Sequence, residues 1–297
     1  MRNAPGAFAL DSGWARRSFD RAADSYDGAA VLHTQIREEH LARLELMSLA
    51  PAVVLDAGAG TGHATRALRK RYPKATVIAL DFSEGMLRQA RRQREWLRPF
   101  ERVCAAAERL PFKDGSIDLI FSNLLLQWCD PERVFPEMRR VLKPDGLLTF
   151  TSFGPDTLRE LRGAWAQADG GAHVLPFIDM HDLGDALGRH GFAAPVLDVE
   201  RITLSYQSVN GVLADLKATG ARNALADRAR GLTGPRKMLR MRAAYEQFRD
   251  QGRLPATYEV VFGHAWVPAG LPPRRSASGS SFSLQEMQRQ LKRPRTR

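Results

Sequence analysis

The order of apolar segments predicts an α/β fold: a doubly wound, seven-stranded, mostly parallel sheet with a helical lid before it and a helical insertion after its fifth strand. Three observations carry that expectation. Between Pro51 and Gly154, short β-branched runs alternate with amphipathic helical patterns, which is how a parallel sheet with helical crossovers reads along a chain. The first run, "VVLDAGAGTGHATRAL" from Val53 to Leu68, passes into glycines at alternate positions at a strand-to-helix turn. Two further strand-like runs beyond residue 195 complete the seven.

Residues 1–50 are expected to form the helical lid or flank, because "FDRAADSYDGAAVLHTQIREEHLARLELM" is helical in pattern. Residues 51–268 are expected to form the main domain. Its strands are read at "AVVLDAG", "ATVIALD", "RVCAA", "IDLIFSN" and "LLTFTSF", with helices near His63–Arg71, Glu84–Arg94 and Pro131–Leu142. The insertion, about 155–195, holds two helical segments. In the second, "DMHDLGDALGRHGF", Asp179 is placed to cap the start and Gly191 the end. "VLDVERITLSY" and "TYEVVFGHAWV" are the last two strands, separated by helices around Val209–Thr219 and Arg236–Arg249. Residues 269–297 read as a basic, mobile tail with a short helix at "LQEMQRQLK": Leu271 to Arg297 carries seven Lys/Arg against the single acid Glu286.

Composition limits the function classes. With 297 residues, 44% of them hydrophobic, the chain can bury a substantial core. No run approaches the roughly 18 to 20 apolar residues that cross a bilayer, and "MRNAPGAFALDSGWARR" lacks an apolar signal core, so the expectation is a soluble, cytoplasmic protein with no membrane insertion. Cys104 and Cys129 are too few for a disulfide framework and lack metal-ligand spacing; they are read as buried, reduced thiols, and no metal is expected. A net charge of +11 favours acidic partners without naming one. The basic clusters are "RQARRQREWLR", where Arg88, Arg91 and Arg92 share a helix face and Arg94 and Arg98 follow, and "RKMLRMR" at Arg236 to Arg242.

The glycine turn is chemically selective. Gly58, Gly60 and Gly62 give G-x-G-x-G after Asp56, whereas a dinucleotide turn shows G-x-G-x-x-G. An acid before the turn repels phosphate but accepts hydrogen bonds from an ammonium group, directly or through water, which suits the methionine end of S-adenosylmethionine. Asp81, ending the second strand, can take both hydroxyls of a ribose as donors. Nicotinamide dinucleotide sites share such an acid, so alone it discriminates little.

"VVLDAGAGTG", "ALDFSEGMLRQAR", "AERLPFKDGSIDLIFSNLLLQW" and "EMRRVLKPDGLLTFTSFG" together resemble the successive motifs of the class I S-adenosylmethionine-dependent methyltransferases, which have a Rossmann-like fold, over about Pro51 to Gly154. By that resemblance Asp56, Gly58, Gly60 and Gly62 wrap the methionine part of the cofactor, Asp81 holds the ribose, Met86 borders the adenine, and Asn123 stands at the cofactor side of the fourth-strand exit. The family often has Cys at position 59 and an acid at position 106, where this chain has Ala59 and Ala106. The second change removes a side-chain acceptor for the adenine amine, which leaves the backbone groups of Ala107 and Glu108 to read the base.

A narrower resemblance covers nearly the whole chain, to about Pro268. "RRSFDRAADSYDGAAVLHTQI", "SNLLLQWC" and "TSFGPDTLRELRGAWAQAD" with "HVLPFIDMHDLGDAL" resemble the malonyl-acyl-carrier-protein O-methyltransferases of biotin synthesis. That resemblance implies an acidic acyl-carrier protein as partner and places Tyr26 and Phe177 at lid and acyl-pocket contacts; Gln127 and Trp128 follow Asn123 at the exit of the fourth strand, the mouth of the sheet where open α/β folds bind ligands. Packing is an equal reading for Trp128 and Phe177. A malonyl carboxylate is already ionised at neutral pH, so no general base is expected, and His63 and the other six histidines are read as surface or capping residues. Malonyl-carrier and malonyl-CoA remain equally open, and no one Arg or Lys is singled out for the carboxylate.

Two other readings stand beside it. "FGPDTLRELR" to "DMHDLGDALG" and "RRSASGSSFSLQEM" also resemble the mitochondrial complex I assembly factors, linked to hydroxylation of a partner's arginine. The positive charge alone raises an RNA methyltransferase. Against it, no "NPPY"-type motif or cysteine nucleophile follows the fourth strand and no stacking aromatics interleave the basic runs, so no nucleic acid is expected.

Overall fold

The computed structural model describes residues 10–92, 99–169, 171–221, 223–226, 231 and 233–270. Arg94, Arg98 and the tail helix expected at "LQEMQRQLK" lie outside them. The described residues begin with three helices, α1 (Ser12–Ala22), α2 (Tyr26–Ala29) and α3 (Val31–Arg43). An alternation follows: β1 (Val53–Ala57), α4 (His63–Arg71), β2 (Thr76–Asp81), α5 (Glu84–Arg92), β3 (Glu101–Cys104), β4 (Ile117–Ser122), α6 (Pro131–Val141) and β5 (Leu142–Phe153). The last third is α7 (Arg159–Ala168), α8 (Met180–Arg189), β6 (Ala193–Tyr206), α9 (Val209–Ala218), α10 (Pro235–Glu246) and β7 (Leu254–Trp266).

The seven strands form one sheet in the order β3-β2-β1-β4-β5-β7-β6. β1 pairs in parallel with β2 and β4, β2 with β3, and β4 with β5. β7 runs antiparallel to both neighbours, wedged between β5 and β6. The order reverses between β1 and β4, so the crevice beyond their carboxyl ends is the place where open α/β sheets bind ligands.

The pleat sends neighbouring residues to opposite faces. Leu55, Ile120 and Phe150 pack under α6 and α8 against Phe135, Met138, Leu183 and Leu187. Val54, Val77 and Leu119 pack on the other face against Leu68 of α4 and Ala90 of α5. A third cluster joins Val260 and Phe262 of β7 to Leu161, Trp165, Val212 and Tyr245 of α7, α9 and α10. Each such side chain contributes about 1.5–3 kcal/mol when fully buried. Two devices fix the C-terminal third. Glu160 on α7 is buried and accepts from Thr257 Oγ1 at 2.5 Å and Thr257 N at 3.1 Å, which pins α7 to β7. Gly263 faces Phe150 across the β5–β7 pair, where a Cβ would overlap the phenyl ring.

The structure refines one expectation and corrects two. The N-terminal helical pattern is broken at Ala23–Ser25 and at Ala30, where Ser25 Oγ turns to the carbonyls of Ala22 (3.2 Å) and Ala218 (3.3 Å) and Asp27 is drawn to the glycine turn. Cys104 is exposed, because β3 is an edge strand; Cys129 is buried. His40 is a core residue rather than a surface one. It stacks on Phe121 with centroids 4.0 Å apart, Nε2 lies 2.8 Å from Thr149 Oγ1, and burial pushes its pKa down to about 3, so it is neutral. The expected caps of α8 are present: Asp179 Oδ1 accepts from His181 N at 2.8 Å, and Gly191 has φ 80°. Among the described residues no helix is long and apolar enough to cross a membrane, and no group of three or more His, Cys, Asp or Glu can hold a metal ion.

Candidate active site

The site begins where β1 stops. Gly58, Gly60 and Gly62 have φ of 75°, 54° and 86°, left-handed values that favour glycine. The amides of Gly58 and Ala59 donate to Leu80 O at 2.8 and 2.9 Å, which fastens the turn to the end of β2. The three glycines differ in what they make room for. A Cβ on Gly58 would lie 2.9 Å from Leu125 Cβ, and one on Gly62 would lie 2.8 Å from Ala90 Cβ, so these two permit packing. A Cβ on Gly60 would have no protein atom within 4 Å, so this glycine opens the turn to a ligand.

Two aspartates lie under the turn. Asp56 is 1% exposed; its Oδ2 accepts from Thr65 Oγ1 at 2.5 Å, while Oδ1 is buried and has no partner among the described residues. Burial pushes its pKa up to about 7, the Thr65 hydrogen bond opposes the shift, and the charge of Asp81 adds to it. Asp81 accepts from Gly60 N at 2.9 Å and from Ser83 N at 2.8 Å, one bond to each oxygen. Burial raises it to about 6 in spite of those bonds. Two desolvated carboxyls so close together favour a cationic ligand, and the unpartnered Asp56 Oδ1 is a vacant acceptor for one.

From this turn a cavity runs between the N-terminal helices and the far end of the sheet. Gly58, Gly60, Asp81, Met86 and Asn123 line the end next to the turn. Tyr26, Gln127, Trp128 and Phe177 line its continuation, so nine of the residues singled out from the sequence share one space. Asn123 Oδ1 accepts from Thr151 Oγ1 at 3.0 Å, and Gln127 Nε2 donates to Leu124 O at 2.7 Å. Trp128 meets Phe19 of α1 edge to face at 5.1 Å, and Phe177 meets Phe153 at 5.7 Å.

Four of the singled-out residues do not line the cavity. Asp56 sits beneath the turn, Gly62 caps α4, Ala107 belongs to the core with Leu80 and Leu110, and the charge of Glu108 lies near Cys129, whose thiol pKa burial first and then that charge raise. Sequence reasoning missed several residues of the wall: Phe19, His33, His173, Tyr206 and Tyr258. No local pattern marks them, because they arrive from α1, α3, the loop before α8 and the β6–β7 pair.

The N-terminal helices are held over the turn by their own carboxylates. Asp20 Oδ1 accepts from Ser83 Oγ at 2.6 Å and from Gly85 N at 2.9 Å, at the start of α5. Asp27 accepts from Thr61 Oγ1 at 2.6 Å inside the glycine turn, and its other oxygen meets His63 Nε2 at 3.0 Å. Asp24 pairs with Gln89. Tyr26 is therefore delivered to the cavity by a neighbour anchored in the turn itself.

A methyltransferase-domain family matches residues 55–150. The chain is 52% identical to the malonyl-[acyl-carrier protein] O-methyltransferase of Laribacter hongkongensis, over 92% of this chain and 95% of that protein. It is 54% identical to the protein of the same name from a Methylovorus species, over 88% of this chain and 91% of the relative. Its fold is similar to that of the YcgJ protein of Bacillus subtilis, with a TM-score of 0.57 over 78% of this chain and 99% of that one; at 16% identity the likeness concerns the fold alone.

Proposed function

The chain belongs to the malonyl-[acyl-carrier protein] O-methyltransferase family, and from that premise we propose that it methylates the free carboxylate of a malonyl group held on an acyl-carrier protein, using S-adenosylmethionine. The product is the methyl ester that starts the pimeloyl chain of biotin, with S-adenosylhomocysteine released. The observation that carries this reading is the continuity of one cavity. It joins an acid-floored glycine turn to a largely apolar chamber walled by the N-terminal helices and the β6–β7 pair.

The residues fit the cofactor. The vacant Asp56 Oδ1 suits an ammonium group, the open face of Gly60 lets a ligand approach the backbone, and the spare lone pairs of Asp81 suit ribose hydroxyls. In this assignment Gly58 and Gly60 line the methionine subsite, with Asp56 beneath the turn and Gly62 shaping it, and Met86 and Asn123 line the adenosine side; Ala107 and Glu108 lie outside the cavity wall. When bound, S-adenosylmethionine supplies an electrophilic methyl on a sulfonium. A carboxylate acceptor carries no proton that would have to be removed before it could take that methyl. The protein therefore needs to align the acceptor and exclude water, not to supply a base. Phe19, Tyr26, Trp128, Phe153 and Phe177 close such a space.

The proposal includes an acidic carrier as partner, a cytoplasmic setting, no metal and no nucleic acid. The names of the relatives go against the arginine-hydroxylation reading. The test is to incubate the purified protein with S-adenosylmethionine and malonyl-carrier and weigh the carrier by mass spectrometry. A gain of one methyl is expected; an unmodified carrier would remove the reading.

A further inference from the structure

If the acceptor is a carboxylate, the walls of the cavity pose a problem of recognition, because among the described residues that line it there is no lysine or arginine. The polar groups on its N-terminal side are Tyr26 of α2 and His33 of α3. The helix break at Ala30 folds these two residues together, with ring centroids 5.5 Å apart and planes at 63°. Both are only part-buried, and neither the Tyr26 hydroxyl nor His33 Nε2 has a hydrogen-bond partner among the described residues. His33 Nδ1, in contrast, is shut away from solvent without a partner. A buried N–H with no acceptor is a rarer and costlier defect than an unused lone pair, which assigns the His33 proton to Nε2, the nitrogen still open to the cavity.

Both groups are held neutral. Burial, with the positive Arg37 one turn along α3, pushes His33 down to about 4. Burial first, and then the carboxylates of Asp81 and Asp27, pushes the Tyr26 phenol above its ordinary range. At neutral pH the wall thus offers two uncharged donors, O–H and N–H. The other imidazole of the cavity, His173, is engaged elsewhere: Nε2 lies 2.7 Å from Asp169 Oδ1 and the ring stacks on Trp165 at 3.7 Å.

We propose that Tyr26 and His33 form a neutral two-donor seat for the acceptor carboxylate, which orients it toward the glycine-turn end of the cavity without an ion pair. The advantage follows from the charge change in the reaction. The carboxylate loses its negative charge as the ester bond forms, so a guanidinium clamp would stabilise the ground state more than the transition state and slow the transfer. Neutral donors fix direction with less loss of nucleophilicity, and they still distinguish a malonyl group from an uncharged acyl group, because a hydrogen bond to a charged group is stronger than one to a neutral group. His33 becomes a specificity-determining residue for the proposed reaction, on whose acceptor this inference rests.

The test compares, by calorimetry on the full chain, the affinities for malonyl-carrier and acetyl-carrier, which differ in the carboxylate. The wild type should prefer malonyl. His33→Ala and Tyr26→Phe should each lower that preference about tenfold, the fold-change carried by one hydrogen bond to a charged group, with acetyl-carrier affinity unchanged. His33→Gln, which keeps an uncharged N–H donor, should retain most of it. The inference is overturned by an unchanged preference in His33→Ala, by an equal loss for both carriers, which would report lost packing, or by a wild type with no preference. Ester formation by the wild type, read separately by mass, keeps this outcome apart from the fate of the proposed function.

Discussion

An aspartate titrates near 3.8 when unperturbed, and folding raises Asp56 to about 7 and Asp81 to about 6, chiefly through desolvation. Stability contributed by these two groups is therefore fully present below the unfolded value and is lost as pH rises through about 6 and 7, where each becomes an ionised group taken out of water. A cationic ligand reverses the sign by binding the ionised forms. The thermal shift given by S-adenosylmethionine should accordingly grow between pH 5.5 and 8 in scanning calorimetry; a shift that ignores pH would mean that neither carboxyl senses the charge of the ligand. Asp81→Ala should weaken cofactor binding by roughly 1.5–3 kcal/mol for each hydrogen bond lost to the charged group. Unchanged affinity by calorimetry would take Asp81 out of the site. Both acids are legible in the sequence because each sits at a strand end beside its turn. The orphan oxygen of Asp56 is not, since it depends on Thr65 satisfying only one side of the carboxylate. His33 is hidden for a similar reason: it falls inside an unbroken helical pattern, and only the break at Ala30 turns it into the cavity.

Helices α1 and α2 hold their places through polar tethers as well as packing, which is why their breaks are invisible to periodicity. Asp27→Ala removes the acceptor of both Thr61 and His63, and each such bond contributes about 1 kcal/mol net. Amide exchange across residues 12–29 should then quicken about tenfold or more while β1, β4 and β5 keep their protection. Equal protection in the mutant would show that packing alone holds these helices. On α5 the exposed side carries Arg88, Arg91 and Arg92, of which Arg88 lies 3.9 Å from Glu84 and Arg92 donates to Gln89 at 2.6 Å. Exposed charges of this kind steer an acidic partner and are screened over about 8 Å at physiological salt. Reversing Arg91 and Arg92 to Glu should raise the KM for malonyl-carrier as added salt does, and leave that for a small malonyl thioester nearly unchanged. An equal response of both substrates would exclude α5 as the docking face. The strand and helix order of the central sheet was readable because each crossover is local. The second basic cluster has its exposed members Arg236, Lys237 and Arg240 on α10, a helix that packs on α7 and α9 rather than beside α5, which sequence distance does not disclose.

Across the whole molecule, the cavity draws on residues from Phe19 to Tyr258, so no single stretch of sequence contains the site. The glycine turn and its acids mark the cofactor end, while the acceptor end depends on how α1–α3 and the β6–β7 pair close upon each other. The sheet also carries a consequence for the making of the protein. The last strand in sequence, β7, enters the sheet between β5 and β6, and Val260 and Val261 become fully buried there. During synthesis, β5 emerges with its outer edge unpaired and must wait for roughly 110 further residues before its partner leaves the ribosome, which takes about 5 to 20 s at about 5–20 residues per second. For that interval the nascent chain presents an open strand edge and an apolar sheet face, the combination that recruits aggregation partners. The protein thus passes through a period of exposure whose length is set by translation speed, and slower decoding between β5 and β7 lengthens its dependence on chaperones.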